Sequence, residues 1–387
     1  MERHTHGPIR TSHTGAAAGT LASLLVLALL AHPSSLCAQG SSAGAQDAEA
    51  GAGEQGKGPL VLAEQGSFYV GGEIVTSEAI AGAGPGPVAG QISINHMYVQ
   101  YQIPQHTRYR YPVIMVHGGG HTGKTYETTP DGREGWYTVF ARRGFAPYVV
   151  DDPNRGRSCC DPTQIHLVRL GLAAPSTLPS TNIYSKETAW STFRFGPGYP
   201  DTYGGSKFPF EAIDQYAPQW VFTYRDPEEL DKITAGIVAL LDSIGPAILL
   251  THSQSGNLGL RAAFERPHLV KAYIAVEPAA FVIPEGHTVA EIQDVPVFTV
   301  FGDNIETTSF WVDVLASTRG VVDQLNEAGG DGSVLVLPDI GITGNTHMMM
   351  MDRNNQRIAR LIIQWIQEHV PDVRGRYRAA APASAEE

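Results

Sequence analysis

A serine that could act as a nucleophile follows a short apolar segment of the chain. Residues 247–250, Ala-Ile-Leu-Leu, lead directly into Thr-His-Ser-Gln-Ser-Gly at 251–256, with small residues two positions before and after Ser253. This pattern is typical of a strained turn between a strand and a helix, which lifts the serine hydroxyl clear of the sheet. Thr251 and Ser255 occupy positions where glycine is commoner, so a serine-rich loop that opens a helix is the alternative.

A run of glycines could supply the second part of an acyl-transfer site. His117-Gly-Gly-Gly120 comes directly after the apolar segment 113–116. Because glycine has no side chain, backbone N–H groups in such a loop can approach an oxygen that gains negative charge during a reaction. We expect the N–H groups of Gly119 and of Gln254, the residue after the serine, to form an oxyanion hole. A simple tight turn is the alternative.

Position must identify the base, because the chain has 14 histidines. Four of them lie in the N-terminal segment, at His4, His6, His13 and His32. His117 and His252 belong to the two motifs described above. His347, within Gly344-Asn-Thr-His-Met348, follows the last predicted strand and precedes the last predicted helix. A histidine in that loop can reach a serine at the end of a central strand, so we expect His347 to be the general base.

Two acidic residues could orient this histidine. Glu277 ends the sixth predicted strand, and Asp303 ends the seventh. Both lie between Ser253 and His347 in the chain, which gives the order serine, acid, histidine. The position after the seventh strand is the usual one in this arrangement, so spacing alone favours Asp303 and leaves Glu277 as the other candidate.

Strand-like and helix-like segments alternate along most of the chain. Residues 67–75 and 91–103 alternate between apolar and polar side chains, which suits an antiparallel pair. Six continuous apolar runs are typical of buried parallel strands, at 112–116, 146–150, 247–250, 272–276, 296–301 and 333–337. Amphipathic helices are predicted between them, at 136–143, 230–244, 258–266, 318–328 and 356–369. The pattern predicts one α/β domain with a doubly wound, mostly parallel, eight-stranded sheet.

One long segment interrupts this alternation. Residues 161–226 contain many aromatic side chains, among them Trp190, Phe193, Phe195, Tyr199, Phe208, Phe210 and Trp220. A loop of this length is unusual in a compact domain unless it has a function of its own. We expect a cap-like insertion over the carboxyl ends of the strands, with some rings facing a ligand and others forming an additional core.

The two ends of the chain look unlike the folded region. Residues 1–38 combine Arg3 and Arg10 with an apolar run at 21–31 that is too short to span a membrane, which predicts a signal peptide and an exported, periplasmic or extracellular product. An N-terminal membrane anchor is the alternative. Residues 39–58 and 375–387 have the composition of a disordered linker and tail, so the catalytic domain is placed at 59–374.

Composition and cysteine content exclude several other functions. The net charge is −12 without a basic stripe, so no nucleic-acid partner is expected. The three cysteines do not have the spacing of a zinc site. Cys159 and Cys160 are adjacent and could form a vicinal disulfide in an oxidising compartment, with two free thiols as the alternative. Neither a metal nor an organic cofactor is expected, and the oligomeric state stays open, a homodimer included.

Several stretches resemble the α/β-hydrolase superfamily and, within it, a small family of secreted bacterial carboxylesterases. The resemblance covers about residues 67–370 and is carried by Tyr-Glu-Thr-Thr-Pro-Asp-Gly-Arg at 126–133, the serine motif at 251–256, Val-Glu-Pro at 276–278, and Asn-Thr-His-Met-Met-Met at 345–350, followed by Met-Asp-Arg-Asn-Asn at 351–355. It implies that the acid comes from the sixth strand, and so is Glu277. The chain departs from that family at Gly119-Gly120, where the family has two successive cysteines.

The sequence therefore predicts a serine carboxylesterase that hydrolyses neutral, hydrophobic esters through an acyl-enzyme. Ser253 would be the nucleophile, His347 the base and Glu277 the acid, with Asp303 as the alternative acid. Two other classes stay open. One is a serine hydrolase or lyase acting on amides, lactones or carbon–carbon bonds, and the other is a binding protein that keeps the fold without turnover.

Overall fold

The computed structural model describes residues 58–81, 87–158, 160–225 and 228–379. The predicted signal peptide lies outside these residues, as do the predicted linker up to residue 57 and the predicted tail from residue 380. Cys159 is also outside them, so the predicted bridge to Cys160 stays a prediction. One compact unit of the chain begins at Pro59.

Ten strands lie in the described part of the chain. They are β1 (Leu62–Ala81), β2 (Pro87–Pro104), β3 (Val113–Val116), β4 (Pro147–Asp151), β5 (Ser180–Asn182), β6 (Thr223–Arg225), β7 (Ala247–His252), β8 (Val270–Val276), β9 (Val297–Phe301) and β10 (Gly332–Val336). Eight of them form one sheet in the order β1-β2-β4-β3-β7-β8-β9-β10. In this sheet β2 pairs antiparallel with both β1 and β4. All the remaining neighbours, from β4 through β3, β7, β8 and β9 to β10, are parallel. All eight predicted strands are confirmed, with the predicted mostly parallel sheet.

Helices lie between the strands. They are α1 (Lys124–Glu127), α2 (Trp136–Arg143), α3 (Thr163–Arg169), α4 (Lys186–Thr192), α5 (Ile213–Tyr216), α6 (Glu229–Ile244), α7 (Ser255–Glu265), α8 (Ser309–Glu327) and α9 (Asn355–His369). Short 3-10 helices occupy Pro175–Thr177, Phe210–Ala212, Ala217–Gln219, Val289–Ile292, Ile305–Thr307 and Leu337–Ile340. None of the helices in the described ranges is long and apolar enough to cross a membrane.

The central strands are buried on both faces because helices cover each side of the sheet. In β3, Val113 and Met115 pack in one apolar core with side chains of α2 and α9. The intervening Ile114 and Val116 pack in a second core with side chains of α6, α7 and α8. This alternation explains why the sequence shows continuous apolar runs there, and it leaves the carboxyl ends of the strands as the place where loops can build a site.

The insertion is more ordered than its sequence indicates. β5 and β6 form a two-stranded antiparallel sheet, α3 precedes β5, and α4 and α5 lie between the two strands in the chain. Six of its twelve Phe, Tyr and Trp rings are buried and continue the core on the α2 and α9 side, namely Trp190, Phe193, Phe195, Phe208, Tyr216 and Trp220. These rings therefore extend the main core and do not form the separate additional core that the sequence predicts.

Two predicted boundaries were wrong. The sequence predicts a helix that begins at residue 318, but the corresponding helix α8 begins at Ser309. There the side chain of Thr308 accepts a hydrogen bond from the N–H of Trp311. The first part of this helix was missed because Phe310 and Val312 are apolar but exposed, so the apolar residues there do not follow a helical spacing. At the other end, Tyr377 donates its N–H to Thr107 and bonds Tyr148 through its hydroxyl, so contacts extend beyond the predicted end at residue 374.

Candidate active site

Ser253 lies at a sharp turn between β7 and α7. Its φ angle is +54°, in the left-handed region that non-glycine residues rarely adopt. A Cβ at Gly256 would come within 2.4 Å of Pro278, so that position needs a glycine. Thr251 fits two residues before the serine because its hydroxyl lies 3.0 Å from that of Tyr273. The relaxed motif therefore still forms the strained turn that the sequence predicts.

Ser255, the neighbouring serine, is held away from the surface. Its side chain is fully buried, and its hydroxyl donates a hydrogen bond to the carbonyl of His117 at 2.5 Å. Ser253 is partly exposed, and its hydroxyl points to a histidine instead. Of the two hydroxyls, only that of Ser253 has the partner and the access that a nucleophile needs.

A continuous chain of hydrogen bonds joins Ser253, His347 and Glu277. His347 Nε2 lies 2.9 Å from Ser253 Oγ, and His347 Nδ1 lies 3.1 Å from Glu277 Oε2. In the neutral histidine, the hydroxyl donates to Nε2 and Nδ1–H donates to the carboxylate. The structure thus brings together three residues that the sequence places 94 and 70 positions apart along the chain. This is the geometry in which a histidine can take a proton from a serine.

Glu277 follows β8, and its surroundings keep it ionised although it is completely buried. Its Oε1 accepts hydrogen bonds from the N–H of Gly302 and, at 2.5 Å, from Arg194 Nη2. Burial alone would raise the pKa of this carboxyl, but the charge of Arg194 and the bond to His347 outweigh it and lower the pKa of Glu277 to about 2. Glu277 is therefore a carboxylate at neutral pH.

Asp303, the alternative acid, takes a different place. Its Oδ2 accepts the backbone N–H of Asn345 at 2.9 Å, and its own N–H donates to the carbonyl of Asn345 at 2.8 Å. Among the described residues its side chain makes no bond to His347. Asp303 thus anchors the start of the histidine loop, and the geometry favours Glu277, the residue that the family resemblance implies.

The loop that carries His347 is tied down by one buried carboxyl group. Asp352 accepts hydrogen bonds from the side-chain amide of Asn345 and from both the N–H and the hydroxyl of Thr346, at 2.8–3.0 Å. Arg133 holds the same turn from outside by donating to the carbonyls of Met351 and Asp352. The stretches 126–133 and 345–355 that carry the resemblance are therefore two sides of one structural contact.

His347 itself is buried among aromatic rings. Its ring is nearly parallel to that of Phe193, at 5.9 Å between centroids, and lies 4.7 Å from that of Trp311. Burial lowers the pKa of His347 more than the bond to Glu277 raises it. The histidine is therefore neutral at neutral pH, as a general base must be.

The glycine loop after β3 packs directly against Ser253. A Cβ at Gly118 would come within 2.8 Å of the Cβ of Ser253, and one at Gly120, where φ is +69°, would meet the ring of Tyr184 at 2.5 Å. His121 fixes the loop through a 2.9 Å bond from Nδ1 to the carbonyl of Gly119, while its Nε2 lies 2.9 Å from the hydroxyl of Tyr216. Side chains larger than hydrogen would not fit beside the serine.

The two residues that carry the predicted oxyanion donors, Gly119 and Gln254, are in contact. A Cβ at Gly119 would come within 3.0 Å of Gln254 Oε1, so the glycine loop and the residue after Ser253 are in contact. Within the described ranges, neither backbone N–H has a protein acceptor. Gln254 is held in turn by Arg155, a buried side chain that donates to Gln254 Oε1 at 2.9 Å and also pairs with Glu229. The pair of N–H groups is free to bind a negatively charged oxygen.

Two rings of the insertion, Trp190 and Phe210, pack against other rings of the insertion. Trp190 and Phe210 contact each other and Phe195, and the indole N–H of Trp190 donates to the carbonyl of Asp201 at 2.6 Å. They pack in the core because the insertion needs apolar side chains of its own to fold against the domain. Tyr184, which is half-buried against Gly120, is the ring of the insertion that adjoins the glycine loop.

Sequence reasoning missed several residues that support the site. Asp352 and Arg133 lay within the stretches that carry the resemblance, so their positions were available without their roles. Arg194 and Trp311 carried no signal, since no motif surrounds them. Arg155, which contacts Gln254, was missed as well. No group of three or more histidine, cysteine or acidic side chains suitable for a metal occurs in the portion that the structure describes.

The sheet order, the strained serine turn and the histidine loop together define an α/β-hydrolase. A bacterial esterase whose structure was solved at atomic resolution is 41% identical and superposes with a TM-score of 0.76, and the match covers 81% of this chain and 98% of that one. The Probable secreted lipase phiG of Fungal sp. (strain ATCC 74256) is 30% identical over 326 residues, which is 73% of this chain and 88% of the fungal protein. No protein-family model matches the chain.

The chain belongs to the family of α/β-hydrolase esterases and lipases that these two proteins represent. The match to the bacterial esterase spans nearly all of that protein.

Proposed function

We propose that the protein is a serine carboxylesterase that hydrolyses neutral, hydrophobic esters. The observation that carries this proposal is the hydrogen-bonded chain from Ser253 through His347 to Glu277. It lies beside Gly119 and Gln254, whose backbone N–H groups have no protein acceptor among the described residues. The names of the two relatives, an esterase and a lipase, support ester hydrolysis as the reaction.

The proposed reaction is a two-step acyl transfer. Ser253 Oγ attacks the ester carbonyl while His347 Nε2 takes its proton, and the carbonyl oxygen becomes an oxyanion that the N–H groups of Gly119 and Gln254 bind. His347 then gives the proton to the departing alcohol, which leaves an acyl-enzyme on Ser253. A water molecule repeats the sequence and releases the acid. Each oxyanion donor contributes about 3 kcal/mol to transition-state stabilisation in such sites.

A neutral and apolar substrate fits the surroundings of the site. Phe193 and Trp311 flank His347, and Tyr184 lies against Gly120. Arg155 and Arg194, the two buried arginines beside the site, each pair with a buried glutamate, which offsets their charge. An anionic substrate would lose hydration there with little compensation, whereas an apolar acyl or aryl group would gain about 25 cal/mol per Å² of buried apolar surface.

A series of chromogenic esters with increasing acyl length tests the proposal, measured on the wild type and on Ser253→Ala. We expect hydrolysis of neutral esters, with kcat/KM rising as the acyl chain grows from two to several carbons, and almost complete loss in Ser253→Ala. Amide, lactone and phosphoester analogues complete the series. Faster turnover of one of these analogues would assign a different substrate class, and the absence of turnover of any of them by folded protein would indicate a binding protein.

We also propose that the protein is exported. The support is the predicted signal peptide at residues 1–38 together with the description of the fungal relative as secreted. Mass spectrometry of the protein recovered from the extracellular or periplasmic fraction tests this, since a mature chain should lack the N-terminal segment. Recovery of the intact chain from the cytoplasm would contradict export.

A further inference from the structure

Arg194 is a buried cation that the insertion extends into the site. It follows α4, its side chain is 1% exposed, and its φ angle is +54°. Its Nη2 donates to Glu277 Oε1 at 2.5 Å, and its Nε donates to the carbonyl of Asp303 at 2.8 Å. A left-handed conformation at a non-glycine residue is strained and persists only where the surroundings impose it. Here it accompanies a side chain that turns to the triad acid.

The contacts of Arg194 form a closed ring with the catalytic residues. The guanidinium lies 4.7 Å from the centre of the Trp311 ring, and that ring lies 4.7 Å from the ring of His347. His347 bonds Glu277, and Glu277 bonds Arg194. The four residues come from the insertion, α8, the loop after β10 and the turn after β8. Arg194 thus contacts two of the neighbours of His347, Glu277 and Trp311, and within the described residues it makes no hydrogen bond to Ser253.

The two oxygens of Glu277 have separate tasks. Oε2 faces His347, while Oε1 receives Arg194 and the N–H of Gly302. A carboxylate with one oxygen fixed by two donors cannot rotate freely, so the other oxygen stays in line with Nδ1–H. Phe193, the residue before Arg194, also belongs to this arrangement, because its carbonyl accepts a hydrogen bond from the backbone N–H of His347 at 3.1 Å.

We propose that Arg194 is a positioning residue for the triad acid, so that the insertion completes the active site and does more than cover it. The inference rests on the proposed function, since it assigns Arg194 a role toward Glu277 in that reaction. Arg194 fixes the orientation of the Glu277 carboxylate and keeps it charged, and in this way it sets the orientation and the basicity of His347.

Steady-state kinetics of Arg194→Met and Arg194→Lys test this role. Arg194→Met should lower kcat roughly 10- to 100-fold with little change in KM, which is less than the about 10⁴-fold expected when the acid itself is lost. It should also move the acidic midpoint of kcat/KM against pH upward by roughly half a unit to one unit, because a cation that disfavours protonated His347 is gone. Arg194→Lys should restore the wild-type midpoint and part of kcat.

Arg155→Met is the matched control. Arg155 is also a buried arginine paired with a glutamate, but it contacts Gln254 on the oxyanion side and does not touch Glu277 or His347. Replacement of Arg155 by methionine should leave the acidic midpoint of kcat/KM against pH at its wild-type value. An equal shift in both variants, or an unchanged kcat and midpoint in folded Arg194→Met, would overturn the proposal.

A double-mutant cycle with Glu277→Gln separates this inference from the proposed function. When Glu277 is already neutral, Arg194→Met should cost less than about threefold in kcat, because no carboxylate is left to orient. A full additional loss would mean that Arg194 acts independently of Glu277, which contradicts the inference. Wild-type activity in Ser253→Ala would instead contradict the proposed function. If Arg194→Met does not fold, Arg194→Ala with added guanidinium takes its place. We expect guanidinium, but not urea, to restore activity to this variant. No recovery with guanidinium would overturn the role of Arg194.

Discussion

At the scale of single residues, the site depends on which groups carry charge while buried. Glu277 is ionised because Arg194 and His347 stabilise its charge, whereas His347 is neutral because burial outweighs its bond to Glu277. Within the described residues, the hydrogen-bond partner of the Asp303 side chain is the N–H of Asn345 alone. The two acids between which the sequence left a choice thus differ in their surroundings.

Substitution of each acid by its amide should separate their roles. Glu277→Gln should lower kcat by about 10³- to 10⁴-fold, because the amide no longer stabilises the protonated histidine that forms during the reaction. Asp303→Asn should lower it less than about tenfold, since an amide oxygen can still accept the N–H of Asn345. Steady-state kinetics on both proteins, with circular dichroism to show equal folding, measure the difference. A larger kcat loss in Asp303→Asn would exchange the two assignments.

His121 should make the stability of the protein depend on pH. Burial lowers its pKa from 6.5 to about 3, so the folded state resists its protonation and the unfolded state does not. A lowered folded pKa contributes stability above pH 6.5, and that contribution is lost as pH falls from 6.5 toward 3. Between pH 7.5 and 5, this single group should remove about 2 kcal/mol from the free energy of unfolding.

Urea denaturation of the wild type and of His121→Gln at the two pH values measures this contribution. The loss of unfolding free energy on acidification should be about 2 kcal/mol smaller in the variant. Replacement of the exposed His268 by glutamine is the control and should leave the wild-type dependence unchanged. Identical pH dependence in wild type and His121→Gln would show that His121 is not buried in a neutral form.

At the scale of elements, the position of His347 depends on a loop rather than on a strand or helix. The loop 344–352 is held by the three hydrogen bonds that Asp352 accepts, all from buried or half-buried groups. Asp352→Ala would leave these donors without a partner, at a cost of about 1–3 kcal/mol for each buried group.

Asp352→Ala should therefore destabilise the protein by about 3–5 kcal/mol and lower kcat, because the histidine loses its fixed position. Urea denaturation and ester hydrolysis of the same sample measure both effects. Asp339→Ala removes an exposed carboxylate and should change the free energy of unfolding by less than about 0.5 kcal/mol. A stable and fully active Asp352→Ala protein would show that the loop holds its shape without this carboxyl.

Elements with one strong pattern were predictable from the sequence, and those shaped by their neighbours were not. The strands of the main sheet show as apolar runs because helices bury both faces, and Ser253 and His347 follow from their places at the ends of such elements. The start of α8 was missed because Phe310 and Val312 face solvent there. Arg194 was missed because its role comes from a contact with Glu277, 83 residues away, which no local pattern encodes.

At the scale of the whole molecule, the insertion has two parts with different effects. Its buried rings continue the main core, so their loss should lower stability. Tyr184 lies against the glycine loop and is half-buried, so its loss should affect the substrate instead.

Tyr184→Ala should change the order of preference among acyl lengths and raise KM for the longest esters, because apolar surface beside the oxyanion loop is lost. Phe210→Ala is the matched ring truncation, since the ring of Phe210 contacts Trp190, Phe195 and Phe208 rather than residues of the site. It should lower the melting temperature and keep the order of preference. The same selectivity profile in Tyr184→Ala and wild type would mean that the insertion does not contact the substrate.

The central claim is that Ser253 attacks the ester, and covalent labelling tests it most directly. A fluorophosphonate should react with the protein once, and peptide mass spectrometry should find the phosphonyl group on Ser253. Ser253→Ala should take up no label, whereas Ser255→Ala should still be labelled, because Ser255 is buried and bonded to His117. A label on Ser255, or labelled and active Ser253→Ala protein, would contradict the account.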